Sequence, residues 1–364
     1  MFSTKHYVPI LRWKAAEREG LEKISDEQKK FITPVIEVIM PQPARVKKDG
    51  TGKTPEELLT ESIETLKQKL PKIPEEILKY WGKVPIFIDL SLIDISLRVD
   101  GLKKILSEGR IRELYLIPVI ALNSSSHIQN AYISLAKENA KGLGLRLFKS
   151  NFNSAPLIAD INSFLTLSEL KHQEIDLLVD LQITDGQCLR LAEIIEQIPN
   201  IHDWRTFTVI SGSFPKDLTN FLPDLHKIDR QDWNNWFNQI NSNGLKRKPS
   251  FGDYTIQHPI YSEPSPGMNP SASIRYTLSD KYMIMRGEGL RGEKSKGFAQ
   301  YPANAQLLSQ QQEFFGEDFS FGDAYIVEKG KDINTKETGT PRTWLRAGIN
   351  HHLACVISQI ANLP

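Results

Sequence analysis

Five charged residues stand at the ends of short apolar runs: Lys14, Glu37, Asp89, Asp180 and Asp253. In an α/β protein the ends of apolar strands meet at one place, so these side chains can converge. Converged carboxylates suit a hard divalent cation with oxygen ligands, for which Mg²⁺ is the candidate. They also suit a general acid paired with a general base. The plain alternative is that such acids cap helices or pair with rim lysines.

A second set of residues suits anions. Ser211-Gly212-Ser213 follows an apolar run, and a loop of this kind offers backbone amides with the Ser211 and Ser213 hydroxyls. Arg275, Arg286, Arg291, Arg342 and Arg346 lie further along. Arg275 alternates with Ile274 and Tyr276, which points it away from its apolar neighbours. Arg342 and Arg346 fall in the first turns of a helix opened by Thr340-Pro341, whose dipole favours anions. If Arg275 and Arg342 both face one ligand, a phosphorylated or nucleotide-like molecule is expected there. Against this stands the reading of solvated basic residues and a structural serine turn.

His351-His352 does not read as a metal pair, because adjacent helical residues diverge by about 100°. Leu345, Ile349, His352, Val356 and Ile360 form one stripe, which puts His352 on the core face. The pair also lies about 15 Å down the helix from its start. Gly50-Thr51-Gly52-Lys53-Thr54 lacks the leading glycine of a phosphate loop, position 47 being lysine. The glycine-rich stretch 286–292 lies outside any strand-to-helix crossover and reads as a mobile loop.

The elements that must position these residues alternate regularly. Apolar runs at 7–11, 34–39, 84–90, 115–122, 143–148, 175–181, 207–210 and 254–256 are separated by helical patterns. Continuous apolar runs of this length fit parallel strands covered on both faces. The expected fold is α/β, a (β/α)8 TIM-like barrel over residues 1–258, with a doubly wound open sheet as the alternative. After His258-Pro259 the rhythm breaks at Pro264, Pro266, Gly267 and Pro270. Residues 259–339 then read as an inserted hairpin-plus-helix segment over the barrel mouth, and 340–364 as the last barrel helix.

Composition narrows the function classes. Of 364 residues, 45 are Lys or Arg and 44 Asp or Glu, which argues against unspecific duplex DNA binding. The two cysteines, Cys188 and Cys355, sit in apolar helical surroundings and read as small buried residues of a reducing compartment. The N-terminus has no signal-peptide core, and the most apolar run, 114–122, is far too short to span a bilayer. A cytoplasmic protein without membrane association is expected.

Ser211-Gly212-Ser213-Phe214-Pro215, Arg230-Gln231-Asp232-Trp233 and Phe251-Gly252-Asp253-Tyr254 together resemble the phage-named "beta protein" family of bacteria and mobile or phage-related DNA. The likeness extends to Ile274-Arg275-Tyr276, Phe319-Ser320-Phe321-Gly322-Asp323, and Trp344, Gly348, Asn350, His351 and His352. It includes the opening Tyr7-Val8-Pro9-Ile10-Leu11 with Lys14, and 34–37. The resemblance implies a place in phage–host conflict or antiviral defence and assigns no reaction. With the residues above, it suggests a barrel protein recognising a phosphorylated or nucleotide-like ligand, and a phosphodiester hydrolase if catalytic. The alternative is a non-catalytic module that docks a partner protein through Phe314, Phe315, Phe319 and Phe321, unless these pack the insertion onto the barrel.

Overall fold

Strands that are apolar on both faces need cover on both, and closing them into a barrel lined by their own side chains supplies it. The computed structural model, which describes residues 2–42, 53–153, 156–184, 190–242, 244–263, 267–293 and 295–363, contains such a barrel. Its strands are β1 (Ile10–Arg12), β2 (Val35–Glu37), β3 (Ile86–Asp89), β4 (Leu116–Ala121), β5 (Leu143–Phe148), β6 (Ile175–Ile183), β7 (Thr206–Gly212) and, after β8 (Leu225–Asp229), β9 (Ser250–Gly252). They run parallel in the order β1-β2-β3-β4-β5-β6-β7-β9. The seam closes where Val8 N donates to Phe251 O at 2.9 Å and Ile10 N to Asp253 O at 2.7 Å. Among the expected residues, Lys47, Gly50, Thr51, Gly52, Cys188, Pro264 and Pro266 lie outside the described set.

Strand parity sorts the side chains into two cores. Val8, Ile10, Val35, Phe87, Ile117, Val119, Leu178, Ile210 and Tyr254 form the barrel's interior cluster. Residues of the opposite parity, among them Leu11, Ile36, Ile88, Ile120, Leu145, Val179, Val209 and Phe251, face the helices in the main core. At the seam the chains approach closely. A Cβ on Gly252 would lie 2.6 Å from Val8 O and 2.6 Å from Ile210 Cγ1. Gly252→Ala is therefore expected to cost about 1–3 kcal/mol, the usual price of overpacking. Urea unfolding checks this, and a variant as stable as its parent would mean the seam is looser than described.

The segment after the barrel builds a second unit. β10 (Ile274–Thr277) and β11 (Lys281–Met285) form the expected hairpin, and β8 joins it to make a three-stranded antiparallel sheet. A boundary at 258 is therefore not clean, because β8 precedes β9 in the chain. β8 is short and half-exposed, so it carries no buried-strand pattern. One face of this sheet, Ile274, Tyr276, Met283 and Met285, packs with Tyr301, Leu308, Ile326 and Trp344. The other face gives Tyr282 and Ile284 to the main core. Two helices cover the first face, Gln300–Ser309 and Phe321–Gly330, the latter capped by Ser320 accepting from Asp323 N. The last helix, Pro341–Ala361, starts at the Thr340 cap as its sequence predicts. It lies against helix Ala15–Glu22, where Asn350 Nδ2 donates to Gly20 O at 3.1 Å. Among the described residues, no helix is long and apolar enough to cross a membrane.

Candidate functional site at the barrel mouth

The interior parity that fills the barrel with apolar side chains places charged ones in its last layer. Arg12, Glu37, Asp89, Arg146 and Asp180 end or nearly end their strands, and all are buried together with Tyr254. Arg146 on β5 is the hub. A guanidinium has five N–H groups, and here each has an acceptor. Nε donates to Asp180 Oδ2 at 2.9 Å, and Nη2 to Asp180 Oδ2 at 2.5 Å and to Tyr254 OH at 3.0 Å. Nη1 donates to Glu37 Oε1 at 2.9 Å and to Asp89 Oδ2 at 2.5 Å. The second oxygens of the two aspartates accept backbone amides, Asp89 from Ser91 and Asp180 from Gln182.

Glu37 and Arg12 are less well satisfied. Glu37 Oε2 and Arg12 Nε face each other at 3.4 Å, and both are buried without a hydrogen-bond partner. Arg12 Nη2 donates to His258 O at 2.9 Å and Pro259 O at 2.6 Å. Residues 258–263 thus form a strap across this sector of the mouth. The Tyr261 ring lies 5.7 Å from the Arg12 guanidinium and 4.8 Å from the Lys14 ammonium, and its hydroxyl is buried and unpartnered. Lys14 pairs with Glu263 at 3.6 Å on the half-exposed rim.

Three carboxylates face two guanidiniums, so one negative charge is left over when all ionise. Burial pushes the Glu37 carboxyl above the ordinary range, Asp89 adds to the push, and the two arginines oppose it without cancelling it. A raised folded-state value means stability that is present in acid and lost as pH rises through that value. Glu37→Gln removes the surplus charge and keeps an acceptor for Arg146. It is expected to leave stability nearly unchanged in mild acid and to raise the melting temperature above neutrality. Melting curves against pH check this, and a loss of stability at high pH would contradict it.

The fourth expected carboxylate is not in this cluster. Gly252 and Tyr254 point inward, so Asp253 between them points out toward the last helix. There it accepts from Tyr7 OH at 2.5 Å, His352 Nε2 at 2.9 Å and Thr255 N at 2.9 Å. Burial alone would raise its pKa, but His352, Tyr7 and Arg230 outweigh burial and hold it below the ordinary carboxylate range. His352 Nδ1 is bonded to Thr277 Oγ1 at 2.8 Å, and His351 sits between Asp323 Oδ2 at 2.8 Å and Thr277 O at 2.7 Å. Both histidines are fully buried and join the last helix to the hairpin.

The Mg²⁺ reading does not fit the residues present. The Arg146 guanidinium bridges Glu37, Asp89 and Asp180, in the position a cation would take. Among the described residues no group of three or more His, Cys, Asp or Glu side chains is arranged to hold a metal ion.

The expected anion residues are likewise dispersed. Ser211 lines a slot of about 30 Å³ beside Asp232 and Trp236, room for about one water. Ser213 donates to Asp232 Oδ1 at 2.7 Å, which makes it part of a structural turn. Arg275 Nη1 donates to Ile256 O at 2.7 Å, and its guanidinium lies 4.7 Å from the Phe214 ring. Arg286 is bonded to Leu218 O, Ser273 Oγ and Gly287 O. Arg342 pairs with Glu19 on the surface, so Arg275 and Arg342 share no partner. Arg342→Ala is accordingly expected to change stability by no more than about 1 kcal/mol, as exposed pairs do. A thermal melt checks it. Of the four phenylalanines, Phe314 packs on Tyr276, Phe319 on His351 and Phe321 under Arg346, while Phe315 is 41% exposed.

Sequence reasoning passed over Arg12, Arg146 and Tyr254. The signal for Arg146 was present in Leu143-Gly144-Leu145-Arg146-Leu147-Phe148, where one arginine alternates within an apolar strand. Such a residue has to point into the barrel, because its neighbours occupy the helix-covered face.

A closed parallel (β/α)8 barrel, TIM-like in architecture and sealed at its C-terminal end by a buried arginine–carboxylate network, defines the class of protein. Within that class the chain belongs to the Beta protein family, whose sequence model matches residues 7–358. No curated protein matches it. Among solved structures it is similar to the type I 3-dehydroquinate dehydratase of Clostridium difficile, at 12% identity over 72% of this chain and 88% of that chain, with a TM-score of 0.40. It is similar to the tryptophan synthase alpha-subunit of Pyrococcus furiosus at 10% identity, over 70% and 90% of the two chains, with a TM-score of 0.40. A GH18 chitinase from Pseudoalteromonas aurantia aligns at 9% identity over 57% of this chain and 93% of that chain, with a TM-score of 0.33.

Proposed function

We propose that the protein recognises a phosphorylated or nucleotide-like ligand at the barrel mouth, with Arg12 donating a hydrogen bond to the phosphate and Glu37 as a general acid. The reading rests on one observation: Arg12 Nε and Glu37 Oε2 are buried side by side with no hydrogen-bond partner. Among the described residues their one polar contact is the 3.4 Å ion pair with each other, and buried polar atoms without hydrogen bonds are costly, so such a pair at the ligand-binding end of a barrel favours a ligand that satisfies both. A phosphate oxygen would accept from Arg12; as water attacked phosphorus, the Glu37 carboxyl, whose pKa burial raises, would pass a proton to the leaving oxygen of a phosphodiester. Arg146 would hold Asp89 and Asp180 as a fixed wall. Lys14 stands at the rim, where it would meet the ligand first. Arg12 and Glu37 are 2% and 3% exposed, so entry requires the 258–263 strap to lift.

The biological setting, phage–host conflict, is supported by the family resemblance alone. The test is calorimetry with a nucleoside monophosphate, paired with hydrolysis of bis(p-nitrophenyl) phosphate. The wild type should bind, Arg12→Met should bind at least about tenfold more weakly, the loss of one charge-assisted hydrogen bond. Glu37→Gln should bind normally but turn over about 10²-fold or more slowly, the usual contribution of a general acid. A wild type that binds no phosphorylated ligand would overturn the reading. That outcome would favour the alternative, partner docking through the inserted segment, for which exposed Phe315 is the one anchor among the four phenylalanines.

A further inference from the structure

The other end of the barrel carries a larger pocket. It is a groove open to solvent, of about 270 Å³, where the chain enters β4, β5, β6 and β7, and Tyr115, Lys137, Lys141, Gly142, Glu174 and Arg205 line it. None of these residues belongs to the mouth.

Arg205 is held there in a fixed pose. Its Nε donates to Asp176 Oδ1 at 2.9 Å, its Nη2 to Asp176 Oδ2, and its Nη1 to Lys141 O at 2.9 Å. Asp176 is 1% exposed and also accepts from Thr206 Oγ1 at 2.8 Å. Three of five N–H groups are thus committed to orientation, and two remain without an acceptor among the described residues. The backbone makes way for this pose. Gly142 has φ +88°, and a Cβ there would lie 2.3 Å from the Arg205 guanidinium.

Lys141 stands beside it with no carboxylate partner among the described residues, its ammonium 5.0 Å from the Tyr115 ring. Lys137 shares an exposed pair with Glu169 at 2.8 Å. The one lining carboxylate, Glu174, is turned to the Lys171 amide at 2.9 Å. Three cations therefore border the groove, Arg205 immobilised on Asp176, Lys137 sharing Glu169 and Lys141 with no carboxylate partner among the described residues, and the Tyr115 ring is an apolar wall. An oriented guanidinium edge with two ammonium groups suits a tetrahedral dianion, and the ring suits a carbon skeleton attached to it.

We infer that this groove is a second anion site, separate from the mouth, that takes a small phosphomonoester. Calorimetry on the full chain, with ribose 5-phosphate and inorganic phosphate as probes, tests it. The expected result is binding that survives Arg12→Met and weakens tenfold or more in Lys137→Glu/Lys141→Glu. Where the buried Arg12 change unfolds the chain, Lys14→Glu at the exposed rim replaces it. Ribose 5-phosphate should bind more tightly than inorganic phosphate, and Tyr115→Ala should erase that difference. Equal affinities in the wild type would reduce the ligand to free phosphate and overturn the phosphomonoester assignment. Binding lost with the mouth variant and kept in the lysine variant would move the anion to the mouth and overturn the second site. Absence of heat with either probe at millimolar concentration would overturn it as well.

Discussion

Arg146→Met is expected to destabilise the protein by about 3–5 kcal/mol in urea unfolding at neutral pH, the cost of removing one partner from a buried ionic group. The guanidinium feeds all five of its N–H groups into Glu37, Asp89, Asp180 and Tyr254, and methionine would leave the carboxylates facing one another in the barrel. Stripped of their counter-charge, those carboxylates would hold protons more tightly folded than unfolded. Their stability would then be present in acid and fade as pH rises, so the loss should shrink as pH falls. Arg146→Lys should recover only part of it, because one ammonium cannot reach acceptors spread around a planar fork. A methionine variant as stable as the parent at neutral pH would show that the network contributes nothing to the fold.

Asp253→Ala should cost a similar amount, about 3–5 kcal/mol, since it strands the Tyr7 hydroxyl, the His352 ring and the Thr255 amide in a dry interface. Its pH dependence should run the other way from that of Arg146→Met. The Asp253 carboxyl lies below the ordinary range when folded, so its stabilisation is complete above the unfolded value near about 3.9. It is lost as pH falls through the folded value. The difference between wild type and variant should thus be largest at neutrality and close in acid, read from melting curves across that range. Asp232 and Glu37, both pushed up by burial, tilt the wild-type curve in the opposite sense as pH rises.

The barrel was legible because buried parallel strands leave continuous apolar runs that helical periodicity separates. Three mouth carboxylates were legible for the same reason: Glu37, Asp89 and Asp180 close such runs on the inward parity. Asp253 was read into the mouth because the last strand was expected around 254–256, whereas β9 is Ser250–Gly252. With a period of two, a slip of one residue turns a side chain to the opposite face. Arg146 showed itself only as a charge within a strand, and its acceptors lie up to 109 residues away in the chain. β8 could not be assigned to the hairpin, since a half-exposed strand of five residues has no periodic mark of its own. The arginines proposed for one anion site had partners such as Glu19 and Ile256 O that no local pattern specifies.

The central claim is that the unmatched Arg12–Glu37 pair receives a phosphorylated ligand. A crystal structure of the protein with saturating nucleoside monophosphate tests it most directly. The account predicts phosphate oxygens within hydrogen-bond distance of Arg12 Nε, with Glu37 Oε2 partnered and the 258–263 strap displaced from its place on His258 O and Pro259 O. An unchanged strap over a pair still facing only itself, at a ligand concentration that fills every other site, would contradict it.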